Sequence, residues 1–539
     1  MKNSKKPSRK KGVLIAATLL AAGALYAPSA FAVPPWEPGN GTIFAPIERD
    51  GPAVGLKLVA KGLTAPLKGV AAPGLPNHLF VIDQVGRIYA VNLTVAADRK
   101  AGEEVDCSTL LDDDDSNDDS GCTLFFDVGD HSNINFVTLG CVPQQTRDFG
   151  GSFDERGLLG LAFHRDFASN GRFYTYISQE NGGPATLPST VGSPDHQNVI
   201  SEWQAVNASD PSAGVVSTSR RELIRVDWPQ FNHDGGDLAI RQSDGTLFIS
   251  MGDGGGADDR DGQDFIDCGS DPSTNSAMVG HGDDGNGQKL NNPLGKILRI
   301  DVDGNNSANQ QYGIPGDNPF VGAGGDVVKE IFAFGLRNPY RMSFDKKDPD
   351  HFYVGNVGQN DIEEIELVES GANHGWPIKE GTLFFAHNGN EDGFATPDDP
   401  GTAVAPQPLA PKLVEPVSQY DTIHEGHAVV MGFLYRGKKV KKLRGRVVFG
   451  DFSHQFRFPI GPQDYGRLFM QRRASNPDCC KRIEELRIVP GNQFNLALLG
   501  WGEDSAGELY PMGNTSGLPF FEEGLVLKIV PAPKAQDID

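Results

Sequence analysis

The sequence predicts an all-β protein, a six-bladed β-propeller with long loop insertions, and three observations lead there. First, 66 glycines and 37 prolines are spread over 539 residues, which favours short strands and turns over long helices. Second, a unit recurs: a glycine or polar turn, an alternating apolar run, and a turn carrying Asp, Asn, Gly or Gln. It is found at Asn77 to Asn92, Asn170 to Ser178, Asp244 to Gly255, Asp350 to Gln359, Gly445 to Phe452 and Ala506 to Met512. Third, a chain of this length accommodates one large repeat-built domain. The units are spaced more widely than compact blade repeats of ~40 to 50 residues, so the propeller requires large insertions. Two unrelated β-sandwiches in tandem are the alternative.

At the N-terminus, Lys2, Lys5, Lys6, Arg9, Lys10 and Lys11 form a basic segment, Val13 to Leu25 an apolar one, and Ala30-Phe31-Ala32 a small-x-small cleavage signal. This is the pattern of a bacterial secretory signal peptide over residues 1–32. Its apolar run is shorter than the ~20 residues of a membrane span. The expectation is a periplasmic or secreted protein with no stable membrane anchor. Residues 33–56 read as a proline-bearing lead, 57–532 as the propeller and 533–539 as a tail.

The formal charge of −23 becomes more negative once the basic leader is removed. Nucleic acid and anionic membrane surfaces are therefore poor partners. An anionic ligand would need a local basic pocket, which makes individual arginines informative. The even count of 6 cysteines in an exported chain predicts disulfides. Cys107, Cys122 and Cys141 bracket an acidic loop containing Asp112 to Asp115, Asp118 and Asp119, and are expected to staple it. That loop reads as solvated or as an oxygen-ligand calcium site. The polar, glycine-rich stretch Asp258 to Gln288 reads as a functional insertion. No C-x-x-C-H occurs, so no haem is attached covalently, and any electrons leave to an external acceptor.

For chemistry, the chain offers His233 in FNHDGGDLAI, Arg337 and Asn338 in FGLRNPYRMSFD, and Gly358 and Gln359 in VGNVGQNDIEEIE. Each lies near the end of a different expected strand, the place from which a propeller builds a site over its channel. Glycines beside His233 allow close approach of backbone and ligand. Together with DERGLLGLAFHRDFASNGRFY, GKILRIDVDG, YGIPGDNPF, GANHGWP and GEDSAGELY, these blocks resemble the glucose/sorbosone dehydrogenase family. That family includes soluble pyrroloquinoline-quinone-dependent glucose dehydrogenases and aldose sugar dehydrogenases. The match runs in order from about Leu58 to Val530.

The resemblance implies a six-bladed propeller with pyrroloquinoline quinone (PQQ) over the channel mouth and a calcium ion (Ca2+) beneath it. His233 matches the family's base, which takes the C1 hydroxyl proton of the sugar as hydride passes to the quinone. Arg337 matches the arginine that stabilises charge on the quinone oxygen, and Asn338 an amide on an adjacent cofactor oxygen. Gly358 and Gln359 match the pair whose carbonyls bind calcium. Glu155 falls where glucose dehydrogenases carry a cofactor-touching glutamine; a carboxylate there must be protonated, paired with Arg156 or bound to metal to tolerate an anionic quinone. Asn232 stands where the family often has an acid, so His233 is expected to be oriented by an amide or by Asp234. Three family cations are missing: Ser453 lies near a lysine position, and FNLALLGWGED has no arginine. Arg341, Lys438 and Arg467 are the substitutes considered. Trp376 is expected to pack, and His427 to be structural.

The expected function is oxidation of an aldose at C1 to a lactone by a calcium-assisted quinoprotein that passes electrons to an external quinone or cytochrome. The alternatives are a non-catalytic sugar- or ligand-binding propeller, and a calcium-dependent hydrolase or lactonase in which His233 activates water.

Overall fold

The computed structural model describes residues 43–533 apart from 101, 112–120, 130, 132–133, 138–153, 193, 256–284, 389–390, 402–404, 455–463, 473–479, 492 and 519–520. By internal contacts the chain divides into Met1–Val33, outside the described residues, and Pro34–Asp539. The leader, most of the acidic loop, most of 258–288, and Cys141, Cys268 and Cys479 also lie outside. Cys107 and Cys122 form a disulfide, so the expected staple is closed by two of the three cysteines named for it.

Four sheets of four strands are built from chain-neighbouring segments, and a larger ten-stranded sheet consists of two further groups joined side by side. The joint is a parallel pairing of Pro66–Val70 with Ala497–Glu503, with Lys68 opposite Trp501. In the second of these groups Ala53–Leu63 pairs antiparallel with Gly524–Pro531, bringing distant parts of the sequence into one sheet. Such closure leaves few open strand edges. The first strands of the groups are Pro66–Val70, Leu158–Phe163, Gly235–Ile240, Asn338–Phe344, Val429–Leu434 and Ala497–Glu503. Each packs on the next, and the last packs on the first, in a ring. This is a β-propeller arrangement.

The recurring sequence unit falls on the same element throughout. Its copies overlap His78–Asp83, Arg172–Gln179, Leu247–Met251, Phe352–Val357, Val447–Asp451 and Leu509–Asn514, the second strand of each group. These strands are buried along nearly their whole length instead of alternating between core and water. The reason is that both faces of a sheet are covered by neighbouring sheets. Phe80 meets Phe163 at 4.8 Å and Phe248 meets Phe344 at 5.0 Å between ring centroids, and the buried rings Phe80, Phe163 and Phe248 each contribute roughly 1.5–3 kcal/mol.

Every first strand shifts register against its second strand, at Pro66/Lys68, Leu158/Gly160, Gly235/Leu238, Pro339/Met342, Val430/Phe433 and Leu498/Gly500. Such irregularities bend a strand and re-aim its side chains. Three charged residues beside these shifts meet across the ring. Lys68 Nζ lies 2.6 Å from Asp237 Oδ1, and Asp237 Oδ2 accepts a bond from Met342 N. Arg341, at φ 64°, donates to Leu159 O and sits 3.8 Å from Asp237. The acid thus links first strands of three groups. Asp237→Ala strands Lys68 and Arg341 without their counter-charge and should cost about 3–5 kcal/mol, read as a lower denaturant midpoint at unchanged slope; a loss below about 1 kcal/mol would contradict this role.

Candidate functional site

Where the chain approaches the strand Gly235–Ile240, His233 adopts φ 54° and is only 3 % exposed. Its Nδ1 lies 2.7 Å from Asp253 Oδ1. Asp253 sits in the turn after the strand Leu247–Met251 and is fully buried. Its carboxylate also accepts Gly255 N at 2.8 Å and Trp376 Nε1 at 2.7 Å. Its own N–H donates to Arg337 O at 2.7 Å, which joins this turn to the next group of strands. A carboxylate only accepts, so a His233 proton is assigned to Nδ1. Close approach here depends on glycine: a Cβ on Gly252 would lie 1.7 Å from His233 O.

The expectation that Asp234 orients His233 is corrected by this geometry. Asp234 is turned away: its Oδ1 meets His196 Nε2 at 3.0 Å and Asn198 Nδ2 at 2.6 Å. Asn232 accepts a bond from Trp228 on its backbone oxygen. His196 lies between Asp234 and Asp195. Burial works against its charge, but the two acids outweigh it and raise His196 to about 9.

Asn338 joins the network on its other side, accepting from Gly235 N at 3.0 Å and donating to Glu155 Oε2 at 3.2 Å. Glu155 Oε2 also accepts Asp234 N at 3.1 Å. By exposed area Glu155 is half-buried, yet desolvation by its neighbours, then the charge of Asp234, pushes it up to about 8. It is therefore protonated at neutral pH. Arg156 pairs with Asp154 and Asp195, so it is engaged away from Glu155, whose oxygens accept from Asp234 N and Asn338.

Arg337 is buried, with its guanidinium 5.7 Å from the Trp376 ring centroid. It donates to Gln359 Oε1 at 2.8 Å, Val357 O at 3.2 Å and Gly358 O at 2.5 Å. The structure thus gathers His233, Arg337, Asn338, Glu155, Gly358 and Gln359 into one connected group. Among the described residues no cluster of three or more His, Cys, Asp or Glu side chains is arranged to hold a metal ion, and Gly358 O accepts a bond from Arg337.

The substitute cations are not added to this group. Arg341 belongs to the ring-spanning pair described above, Arg467 is held between Glu425 and Glu485, and Lys438 is exposed. Ser453 is buried and donates to Asp464 O. Trp376 packs on Phe385 and, beyond that expected role, supports Asp253. Clefts of about 420 and 650 Å³ lie elsewhere, the first beside Arg436 and Arg446, the second beside Arg467 and Phe494, and neither is lined by His233.

Asp253 is the partner of His233 that local reading of the sequence misses. The signal for it is positional: G-D-G-G-G follows a second strand, as V-G-Q does at Gly358 and Gln359.

A family model described as Glucose / Sorbosone dehydrogenase matches residues 151–490. The chain is 32 % identical to the HIPL1 protein of Arabidopsis thaliana over 327 residues, 55 % of this chain and 43 % of that protein. It is 28 % identical to quinoprotein glucose dehydrogenase B of Acinetobacter calcoaceticus over 236 residues, 44 % of this chain and 42 % of that protein. The chain thus spans under half the length of these two relatives. The soluble aldose sugar dehydrogenase of Escherichia coli, solved in its apo form, superposes with a TM-score of 0.53 at 18 % identity, covering 89 % of this chain and 100 % of that one. That likeness establishes the fold.

The raised pKa of Glu155 carries a stability consequence. The folded state holds a proton that the unfolded chain releases near pH ~4.3, so this stabilisation is complete below that value and is lost as pH rises through about 8. Denaturation of Glu155→Gln between about pH 5 and about pH 9 should show a shallower decline than the parent protein. Identical pH dependence would place the Glu155 pKa near its ordinary value.

Proposed function

Because the chain belongs to the glucose and sorbosone dehydrogenase family, we propose that it is an exported six-bladed propeller, over 57–532, that oxidises an aldose at C1 to the lactone. Pyrroloquinoline quinone, when bound, supplies the hydride-accepting chemistry, with calcium assisting. The observation that carries this reading is the buried His233–Asp253 pair at 2.7 Å within the same network as Arg337 and Asn338.

The donors around His233 fit the quinone end of such a cofactor. Arg337, Asn338 and protonated Glu155 are the groups that would hold it, and Gly358 and Gln359 are the carbonyl donors for calcium. His233 Nε2 takes the proton of the C1 hydroxyl, and a positioned base of this kind contributes about 10² to 10⁴ in rate. Asp253 fixes the ring orientation and favours the imidazolium as the proton arrives. The buried Arg337 stabilises negative charge that develops opposite it, because the surrounding protein screens little. A neutral Glu155 spares an anionic ligand the repulsion of another carboxylate.

A second reading, a ligand-binding propeller without catalysis, is favoured by one observation. Two of the cations considered as substitutes for the family's missing ones are engaged elsewhere, Arg341 beside Asp237 and Arg467 with Glu425 and Glu485.

Purified protein titrated with calcium and pyrroloquinoline quinone, then given aldoses and a dye acceptor, separates the readings. The dehydrogenase reading expects quinone binding at micromolar concentration or tighter and sugar-dependent dye reduction. No quinone binding at that level would leave the binding propeller, and lactone hydrolysis without quinone would identify a hydrolase. His233→Ala should lower turnover at least ~100-fold with quinone binding nearly unchanged; parallel loss of folding would make His233 a core residue instead.

A further inference from the structure

Between the third and fourth strands of its group, the chain inserts a separate three-stranded sheet, Lys379–Glu380, Leu383–Asn388 and Glu391–Thr396. Glu380 is 1 % exposed. Its Oε1 accepts four consecutive backbone N–H groups: Gln359 at 2.7 Å, Asn360 at 3.2 Å, Asp361 at 3.1 Å and Ile362 at 3.0 Å. Successive N–H groups converging on one point form an anion-binding nest, and here the acceptor is a carboxyl from the insertion: burial raises its pKa, while the N–H groups and the nearby Arg337 favour its charged form. Its other oxygen has no hydrogen-bond partner among the described residues. A buried oxygen left that way is unfavourable, so burial of this acid is offset at the nest.

The same turn is held from its other side by Arg337, through the carbonyls of Val357 and Gly358 and the side chain of Gln359. A cation therefore faces the carbonyl oxygens and an anion faces the N–H groups of one short turn. The fit is close: a Cβ on Gly358 would lie 2.6 Å from Glu380 Oε1 and 1.9 Å from Ile362 O. The insertion makes further ties, from Ala395 N to Asp361 Oδ2 and from Phe385 to Trp376 at 4.8 Å. Trp376 in turn donates to Asp253.

We infer that Glu380 is a positioning residue, an internal anion that locks the 358–362 turn in the shape that presents Gly358 and Gln359 and holds Arg337. The consequence for the cofactor rests on the dehydrogenase reading; the consequence for the turn does not. Residues that support ligands from behind commonly change affinity 10- to 100-fold when replaced.

The test compares the parent protein with Glu380→Gln, which keeps the shape and removes the charge. Hydrogen exchange in the quinone-free protein should accelerate at the amides of 359–362 by at least ~10-fold, with little change in the strand Leu383–Asn388. Gly358→Ala should loosen the same amides through steric displacement. In quinone-loaded protein the dissociation constant should rise about 10- to 100-fold while the pH profile set by His233 is unchanged. Unchanged exchange at 359–362 overturns the inference, as does equal acceleration across the whole insertion, which would mark general loosening. If the parent binds no quinone, the dehydrogenase reading fails while the exchange comparison still decides the role of Glu380.

Discussion

The structure depends on a polar side chain at the end of a second strand reaching across to the segment that leads into a first strand. Asp83 accepts Thr64 N at 2.6 Å and Ala65 N at 2.7 Å. Asn356 accepts Arg337 N at 3.0 Å, and Asp451 accepts His427 N at 3.0 Å and Ala428 N at 3.1 Å. In each case a buried acceptor satisfies backbone donors that would otherwise be left without partners where the chain changes direction. Asp253, two residues beyond the end of its second strand, accepts instead from an imidazole, His233. A device that elsewhere closes the fold here orients an imidazole, which explains how a histidine is held rigidly at a loop.

Charge is handled internally throughout. The chain is strongly acidic, yet these buried basic side chains are each given oxygen partners: Lys68 by Asp237 and Leu238 O, Lys296 by three carbonyls, and Arg337 by a turn that Glu380 grips from behind. Buried charge is tolerated only when hydrogen-bonded in this way. The raised Glu155 follows the same logic, since a carboxyl beside Asp234 in a poorly hydrated place is more stable with its proton. The neutral acid, the base and the buried arginine are therefore set by surroundings as much as by residue type.

Much of the architecture is legible in the sequence. The recurring turn-strand-turn unit marks the second strands, because those strands combine the densest apolar runs with punctuated ends. His233, Arg337 and Asn338 stand out through their turns and through the family blocks. What stays hidden depends on distance along the chain. Local reading pairs His233 with its neighbours Asn232 and Asp234, but adjacent residues in a turn diverge, and the partner comes from a turn 20 residues on. Glu380 gives no signal, since a lone acid before a glycine looks like any loop residue until the nest it fills is seen. The alternation expected of the strands gives way to continuous burial because sheets covered on both faces have no wet side.

The most direct measurement of the central claim is nitrogen NMR of His233 in protein labelled at histidine, compared with Asp253→Asn. The account predicts a neutral ring protonated at Nδ1, with a strongly downfield hydrogen-bonded proton that disappears on substitution. A ring protonated at Nε2, or one that behaves identically in both proteins, would contradict it.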